Sequence, residues 1–457
     1  MKRLLTICFF VCACLSSQAQ TNIITTIAGK YDSARYNGDG IPALVADFCF
    51  PSAICFDKSG NLYIADQGSD KVRKITISTG IISTVAGLST AAGADTFGYT
   101  GDNILATNTA LYFPADVFLD STGNIFIADG YNNRIRKVNA LTGIITTVAG
   151  IDTAGATGDG GPATNAALNA PSGVCVDKSG NIYIADWGNN KIRKVTIATG
   201  IITTIAGTGA YGFSGNGGPA TDAQFDESDK VYLDNNDNVF IADQWNAVVW
   251  KVDAVTGVIS IFAGNGFIGY SGDNGPATDA ELSRPTGIYI DKQNNVFFAE
   301  FGNGVIRRVD AVTGTITTVA GTGVWGYSGD NGPATAAQMI PESVCFDSYG
   351  SMFIADMNNQ LIRKVYNPTL GVASPRPSPK ERVTLLPNPA RDEVTVEGAA
   401  GSEVSIYNMA GQEVYHGKIL SDKQTFNIAC ISPGVYEVRI INSSAGLWIT
   451  RKLVIAQ

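Results

Sequence analysis

Short segments that are apolar or alternate between apolar and polar residues fill most of the chain, and turn residues separate them. The clearest example runs from residue 171 to 207 and contains PSGVCVD, NIYIAD, KIRKVTI and GIITTIAG, joined by short turns such as WGNN and ATG. Segments of this length, rich in β-branched and aromatic residues, are typical of β-strands. The pattern therefore predicts four consecutive antiparallel strands with no long helix between them.

This four-strand unit recurs six times. The first Asp of the phrase DKSGNIYIAD returns at intervals of 56 to 63 residues, as Asp57, Asp120, Asp177, Asp234, Asp291 and Asp347. A nearly fixed period of this size is typical of propellers and solenoids. Four antiparallel strands per unit correspond to one blade of a β-propeller.

The sixth unit ends early, and its missing strand has a counterpart near the N-terminus. It runs QLIRKVYNP over residues 360–368 and then lacks the TG-IITT-AG segment. The segment NIITTIAG at 22–29 has that sequence and can pair with the sixth blade, which would remove two free sheet edges. We therefore predict an all-β fold, with a six-bladed β-propeller over residues 22–366 that the N-terminal strand closes.

The repeat also resembles a known family. DKSGNIYIADWGNNKIRKV is similar to the NHL repeat, and GDGGPATNAALNAP resembles a variant found in secreted bacterial NHL proteins. Two copies depart from the pattern: Glu300 replaces the Asp of IAD, and the fourth copy reads WNAVVWKV in place of a basic strand. The resemblance implies a secreted bacterial NHL-repeat propeller.

The first 19 residues have the features of a signal peptide. Lys2 and Arg3 precede the apolar segment LLTICFFVCACL, and SQA at 17–19 supplies small residues before a cleavage point. The apolar segment is too short to span a bilayer. Lipidation at Cys14 is the alternative.

The C-terminal part of the chain predicts a second domain. A proline-rich linker is expected at 367–380, and residues 381–457 show strand-like alternation that suits a small β-sandwich. LPNPARDEV, SIYNMAGQEV, SPGVYEVRI and RKLVIAQ resemble the type A C-terminal sorting domain of the type IX secretion system. The resemblance implies contact with that machinery and delivery through the periplasm to the cell surface or medium. The alternative is an ordinary adhesive module.

Charge and residue content exclude several functions. The chain carries 41 acidic and 32 basic residues, for a net charge of −9, and so repels nucleic acid. The single histidine, His416, lies in the tail, so the propeller has no histidine-ligated metal. No nucleophile motif occurs, and we predict no catalytic residue. The five cysteines after the signal are an odd number and argue against a disulfide framework.

The turns after IAD and the long connections between repeats should lie on one face, where propeller loops usually bind. Aromatic residues in these loops would suit a protein, peptide or carbohydrate ligand. The alternative is that they pack between blades. The candidates for ligand binding are Tyr131, Trp187, Trp245, Phe301 and Trp325.

An acidic or amide residue recurs in each long connection, within the phrase GDGGPAT or its equivalent. We expect this residue to form a turn. The alternative is that Asp39, Asp159, Asp273 and Asp330 bind calcium, the one cofactor that the sequence suggests.

The sequence thus predicts a non-enzymatic binding or scaffolding propeller. Two other functions stay open: a calcium-dependent lactonase-like hydrolase with carboxylates in the channel, and a structural surface-layer component. Acids gathered around the channel would favour the hydrolase, and an aromatic patch on the loop face would favour the binder.

Overall fold

The computed structural model describes residues 22–88, 97–366, 384–386, 390–397, 401–408, 412–421, 423–442 and 447–456. The chain divides into two compact units, residues 1–368 and 369–457. The predicted signal peptide at 1–19 and linker at 367–380 lie outside the described residues. No helix among the described residues is long and apolar enough to cross a membrane.

The first unit contains six antiparallel sheets, numbered here in chain order. Sheet 1 consists of Pro51–Phe56, Leu62–Asp66, Lys71–Thr76 and Ile81–Ala86; sheet 2 of Pro114–Leu119, Ile125–Asp129, Arg134–Val138 and Ile144–Ala149. Sheet 3 consists of Gly173–Val176, Ile182–Asp186, Lys191–Thr196 and Ile201–Ala206; sheet 4 of Ser228–Leu233, Val239–Asp243, Val248–Val252 and Ile259–Ala263. Sheet 5 consists of Pro285–Ile290, Val296–Glu300, Val305–Val309 and Ile316–Ala320. The strands of sheet 3 coincide with the four segments from which the unit was predicted.

Sheet 6 is built from both ends of the unit. Its strands are Ser343–Phe346, Met352–Asp356, Leu361–Tyr366 and Ile23–Gly29. The last of these pairs antiparallel with its neighbour, with Ile24 opposite Val365 and Gly29 opposite Leu361. Ile24 and Ala28 are fully buried in the core of this sheet. The segment NIITTIAG thus occupies the fourth position of the sixth sheet.

The six sheets contact one another in series through their first strands. The first strand of each sheet contacts the first strand of the next, and the first strand of sheet 6 contacts that of sheet 1. Alternating side chains from neighbouring sheets interleave to form the core, as in the cluster of Cys175, Ala185, Phe225, Ile241 and Trp250 between sheets 3 and 4. Side chains from the first strands of all six sheets line one cavity of about 260 Å³, which we call the central channel.

Short 3₁₀ helices mark two positions in the repeat. One set follows the glycine-rich phrase of each long connection: Ala43–Val45, Ala106–Asn108, Ala163–Asn165, Ala220–Asp222, Ala277–Asp279 and Ala334–Ala336. The other set forms the turn between the second and third strands: Gln67–Ser69, Gly130–Asn132, Trp187–Asn189 and Met357–Asn359. Two-residue strands at Ile41–Pro42, Ile104–Leu105 and Gly332–Pro333 extend sheets 1, 2 and 6.

The second unit consists of two sheets over one core. One sheet contains Thr384–Leu386, Glu393–Glu397 and Lys423–Asn427; the other contains Ser402–Tyr407, Glu413–Ile419, Gly434–Asn442 and Leu447–Ile455. Val394 and Phe426 of the first sheet and Val404, Val438 and Leu453 of the second belong to a single hydrophobic cluster. The two sheets of this unit thus share one hydrophobic core.

Candidate functional site

A buried carboxylate at the end of each second strand fixes the loops at one end of the ring. In sheet 3, Asp186 Oδ1 accepts a hydrogen bond from the Asn169 amide (2.8 Å), and Oδ2 accepts one from Asn189 Nδ2 (2.8 Å). Burial raises the pKa of Asp186 to about 6. Because Asn169 belongs to the long connection and Asn189 to the turn, one side chain holds both loops in place.

In five of the six sheets this carboxylate also binds a buried arginine from the third strand. Arg193 Nη1 lies 3.0 Å from Asp186 Oδ2, and Arg193 Nη2 lies 2.8 Å from Asp159 Oδ1. The arginine side chain has no exposed surface. The same pairing recurs around Arg73, Arg136, Arg307 and Arg363. Every aspartate proposed above as a calcium ligand (Asp39, Asp159, Asp273 and Asp330) therefore pairs with a guanidinium group.

Sheet 4 replaces this charged arrangement with a neutral one. Trp250 takes the position of the arginine and donates from its indole Nε1 to Asp243 Oδ2 (2.9 Å). Asn216 takes the position of the outer aspartate and accepts from the Ile261 amide (3.0 Å). Burial raises the pKa of Asp243 to about 7, and no guanidinium group opposes the shift in this sheet. The unusual sequence WNAVVWKV thus belongs to the packing of the sheet.

Glu300, the other departure from the repeat, takes the place of the aspartate in sheet 5. It accepts hydrogen bonds from the Ser283 amide (2.9 Å) and pairs with Arg307 (2.8 Å). Its side chain is fully buried and burial raises its pKa to about 7. It lies among the residues that position the loops and does not line the central cavities.

All six sheets contribute to one cavity of about 330 Å³ at the loop end of the channel, which we call the mouth cavity. Three of the five aromatic residues predicted to bind a ligand line it: Tyr131, Trp187 and Phe301. Phe113, which stacks on Tyr131 at 4.6 Å between ring centroids, lines it as well. The structure therefore brings together aromatic side chains from sheets that are far apart in the chain.

The remaining two candidates, Trp245 and Trp325, lie behind this wall. Trp325 donates its indole N–H to the Phe301 carbonyl (2.8 Å) and packs edge-on against the Phe301 ring. Trp245 lies against the Arg284 guanidinium, which also contacts the Phe301 ring. These two tryptophans support Phe301 and Arg284 but do not themselves line the mouth cavity.

The base of the mouth cavity carries charged side chains that sequence analysis missed. Asp229, Lys230 and Glu342 line it, and Asp116 lies below them in the channel. Lys230 is 5% exposed, and its Nζ donates to the Ala115 carbonyl (2.8 Å) and the Ser172 carbonyl (2.6 Å), which joins sheets 2, 3 and 4. We call these four residues the charged cluster.

A signal for the charged cluster exists in the sequence. The positions five and four residues before the first Asp of each repeat phrase lie near the start of the first strand, and they hold small residues in most copies. These small residues are Ser52, Ala53, Ala115, Ser172, Gly173, Thr286, Gly287 and Ser343. The members of the charged cluster are the exceptions, and an exception to a repeat can serve a single central site.

The charges in the cluster shift one another's pKa. Burial and the nearby Asp229 together raise the pKa of Glu342 to about 8, although Lys230 and Arg284 oppose the shift. Burial lowers the pKa of Lys230, but the carboxylates of Asp116, Asp229 and Glu342 outweigh it, so that this pKa is raised. Burial also raises the pKa of Asp116. Lys230 is therefore charged at neutral pH, and Glu342 gains or loses its proton close to neutral pH.

Two buried groups of the mouth cavity lack hydrogen-bond partners. Asp229 Oδ2 and Gln67 Oε1 are buried and accept no hydrogen bond, although both residues line the cavity. Among the described residues, no group of three or more His, Cys, Asp or Glu side chains is arranged to hold a metal ion. No disulfide joins the cysteines of the described residues; Cys175 and Cys345 are buried, and Cys345 lines the central channel.

Two family models match the chain. Residues 384–456 match the secretion system C-terminal sorting domain, and residues 152–212 match the teneurin NHL domain. The chain therefore carries NHL-type repeats followed by a sorting domain, as the sequence motifs predicted, and it is secreted to the cell surface or medium.

Sequence and structure relatives agree with this assignment. Chicken NHL repeat-containing protein 2 is 24% identical over 355 residues, which are 69% of this chain and 47% of that protein, so the chain spans about half of this relative's length. Two solved Bacteroides thetaiotaomicron structures each give a TM-score of 0.54. One, a protein of unknown function, is 19% identical and covers 75% of each chain. The other, an auxiliary nutrient binding protein, is 17% identical and covers 76% of each chain. At this identity the two structures agree with this chain in fold alone.

Proposed function

We propose that the chain is an exported, non-enzymatic β-propeller of six blades that binds a small ligand in the mouth cavity. The observation that carries the proposal is that all six sheets converge on one cavity of about 330 Å³, with aromatic walls and a polar base. A concave, largely preformed site with apolar walls and a few polar groups is typical of small-molecule recognition.

In this proposal the six sheets are the blades, over residues 22–366, and the N-terminal strand closes the ring. The closed series of contacts between first strands and the pairing of Ile23–Gly29 with Leu361–Tyr366 support it. Residues 367–380 link this domain to the sorting domain at 381–457, which engages the secretion machinery. The rigid ring serves as the scaffold, and the loops at one end hold the binding residues.

The proposed role of the aromatic wall can be tested by truncation. Trp187→Ala is expected to weaken ligand binding about 5- to 30-fold, because one large aromatic contact contributes about 1 to 2 kcal/mol. A thermal-shift screen of the full exported protein against mono- and disaccharides, dipeptides and amines identifies binders. Calorimetry on the best binder then compares the variant with the wild type.

Phe267→Ala provides the matched control, since Phe267 is a 71% exposed aromatic in a long connection and does not line the mouth cavity. Equal losses in both variants would point to a general effect of surface aromatics and argue against the cavity. If no compound in the screen binds, the proposal of a small-molecule site fails and a structural role becomes the better explanation.

A calcium-dependent lactonase-like hydrolase is the second candidate. One observation favours it: acids of three different sheets, Asp116, Asp229 and Glu342, converge at the channel. A carboxyl group with a pKa of about 8, such as that of Glu342, suits proton transfer near neutral pH. Turnover of a lactone panel with and without calcium, lost in Glu342→Gln, would favour this candidate over the binding protein.

A further inference from the structure

We propose that the ligand of the mouth cavity carries a positively charged ammonium group, which binds to the carboxylates of Asp229 and Glu342 beneath the aromatic wall. This inference rests on the proposed binding function and adds the chemical class of the ligand. Three independent features of the cavity support it: an excess of acids, a buried acceptor without a donor, and aromatic side chains above both.

The excess of acids is local to the base of the cavity. Four carboxyl groups, those of Asp116, Glu227, Asp229 and Glu342, face two basic groups, those of Lys230 and Arg284. Lys230 is already held by two carbonyl groups and lies beside Asp116. Arg284 lies against the rings of Trp245 and Phe301. Once Glu342 is deprotonated, a cation from solution would therefore balance charge that the protein leaves uncompensated.

The unpartnered acceptor lies in the same place. Asp229 is 7% exposed, and its Oδ2 is buried without a hydrogen-bond donor. A buried charged acceptor of this kind is costly unless a donor reaches it. Gln67, also 7% exposed, offers a second unpartnered acceptor from sheet 1. An ammonium group, with N–H donors or an equivalent positive surface, suits the carboxylate of Asp229 better than a neutral hydroxyl group does, because opposite charges add to the contact.

The aromatic wall completes the site. Tyr131 and Trp187 line the cavity above Asp229 and Glu342, and aromatic faces attract cations, quaternary ammonium groups in particular. A divalent metal ion would find fewer suitable ligands here, because both oxygens of Asp116 accept backbone hydrogen bonds, from Val117 and Val174 (2.9 Å each). The arrangement therefore favours an organic cation.

The test compares cations with neutral molecules of the same shape. Choline is paired with 3,3-dimethylbutan-1-ol, and tyramine with 2-(4-hydroxyphenyl)ethanol, by calorimetry on the full exported protein. Each cation is expected to bind about tenfold more tightly than its neutral partner. Asp229→Asn is expected to reduce this preference, because it removes the charge but retains the shape of the side chain.

The pH dependence gives a second, independent readout. Choline keeps its charge at every pH, so any change in its affinity arises from the protein. Glu342 faces Asp229, Lys230 and Arg284, and Glu227 lines the same cavity. Glu342 is mostly protonated below about pH 8, so a cation must displace that proton. Choline affinity is therefore expected to rise with pH, by up to about tenfold per unit between about pH 6 and pH 8, and then to level off.

Glu342→Gln is expected to abolish this rise, whereas the control Glu227→Gln removes another cavity carboxyl group and should retain it. If the neutral partners bind as tightly as the cations and Trp187→Ala still weakens binding, the cavity is a binding site but the charge preference is wrong. If neither cation binds, or if affinity falls as the pH rises, the inference is overturned, while the broader screen still decides the proposed function.

Discussion

Deletion of residues 22–29 is expected to prevent the first unit from remaining a stable monomer. The deletion removes the strand Ile23–Gly29 from sheet 6, with its hydrogen bonds to Leu361–Tyr366 and the buried side chain of Ile24. The lost hydrogen bonds and apolar burial amount to a cost on the order of 5 kcal/mol, comparable with the whole stability of a typical domain. Thermal unfolding and size-exclusion chromatography measure the two expected consequences, a lower midpoint and self-association.

Self-association follows from the edge that the deletion exposes. Without its partner, Leu361–Tyr366 presents unpaired N–H and C=O groups to other copies of the chain. A synthetic peptide with the sequence NIITTIAG, added in excess, is expected to restore the midpoint and the monomer. The same peptide with Asp in place of Ile24 should not, because it would bury a charge in the core of the sheet. A deletion variant that stays monomeric with an unchanged midpoint would show that the ring does not depend on this strand.

The position of that strand could be predicted because the repeat is regular. Turn residues divide the chain at nearly constant intervals, so a missing segment in one copy and an isolated copy elsewhere can be matched. The strands of sheet 3, such as Ile182–Asp186, agree with the prediction because their β-branched residues and flanking turns act locally. The same reasoning located Tyr131, Trp187 and Phe301 in the loops that meet at the mouth cavity.

Other features depend on contacts between distant residues and were missed for that reason. Asp116, Asp229 and Glu342 come from three repeats, and only contacts between first strands that are distant in sequence bring them together. Comparing the copies to find what they share also directs attention away from positions where a single copy differs. Counting such exceptions at the start of each first strand would have identified the charged cluster.

The arginines of the third strands were missed for a different physical reason. Both faces of each sheet are covered by neighbouring sheets, so alternation along KIRKV does not distinguish buried from exposed positions. Lys194 is partly exposed and lies over the Tyr183 ring, whereas the adjacent Arg193 is fully buried. The sequence did contain a sign of the arginine–aspartate pairing, because the two positions change together. The one copy with Trp250 in place of arginine also has Asn216 in place of the outer aspartate.

Substitution of Arg193 by methionine is expected to lower the free energy of unfolding by about 3–5 kcal/mol, because removing one member of a buried ion pair leaves the other charge uncompensated. The affected partner is Asp186, which is itself fully buried and holds the loops of Asn169 and Asn189. Urea denaturation followed by tryptophan fluorescence measures the change. Lys194→Met, at the neighbouring and partly exposed position, serves as the matched control and should cost less than about 1 kcal/mol.

The deficit of Arg193→Met should also depend on pH in a defined direction. Burial raises the pKa of Asp186 to about 6, and the guanidinium group of Arg193 opposes that shift, so its removal should raise the pKa further. A carboxyl group whose pKa is higher in the folded state stabilises the fold at low pH and loses that contribution as the pH rises. The free energy of unfolding of the variant should therefore approach that of the wild type near pH 5 and differ most from it near pH 8.

The double variant Arg193→Met, Asp186→Asn should lose most of this pH dependence, because the ionisable partner is gone. A deficit that stays constant from pH 5 to pH 8 would mean that lost packing, rather than the uncompensated carboxylate, causes the destabilisation.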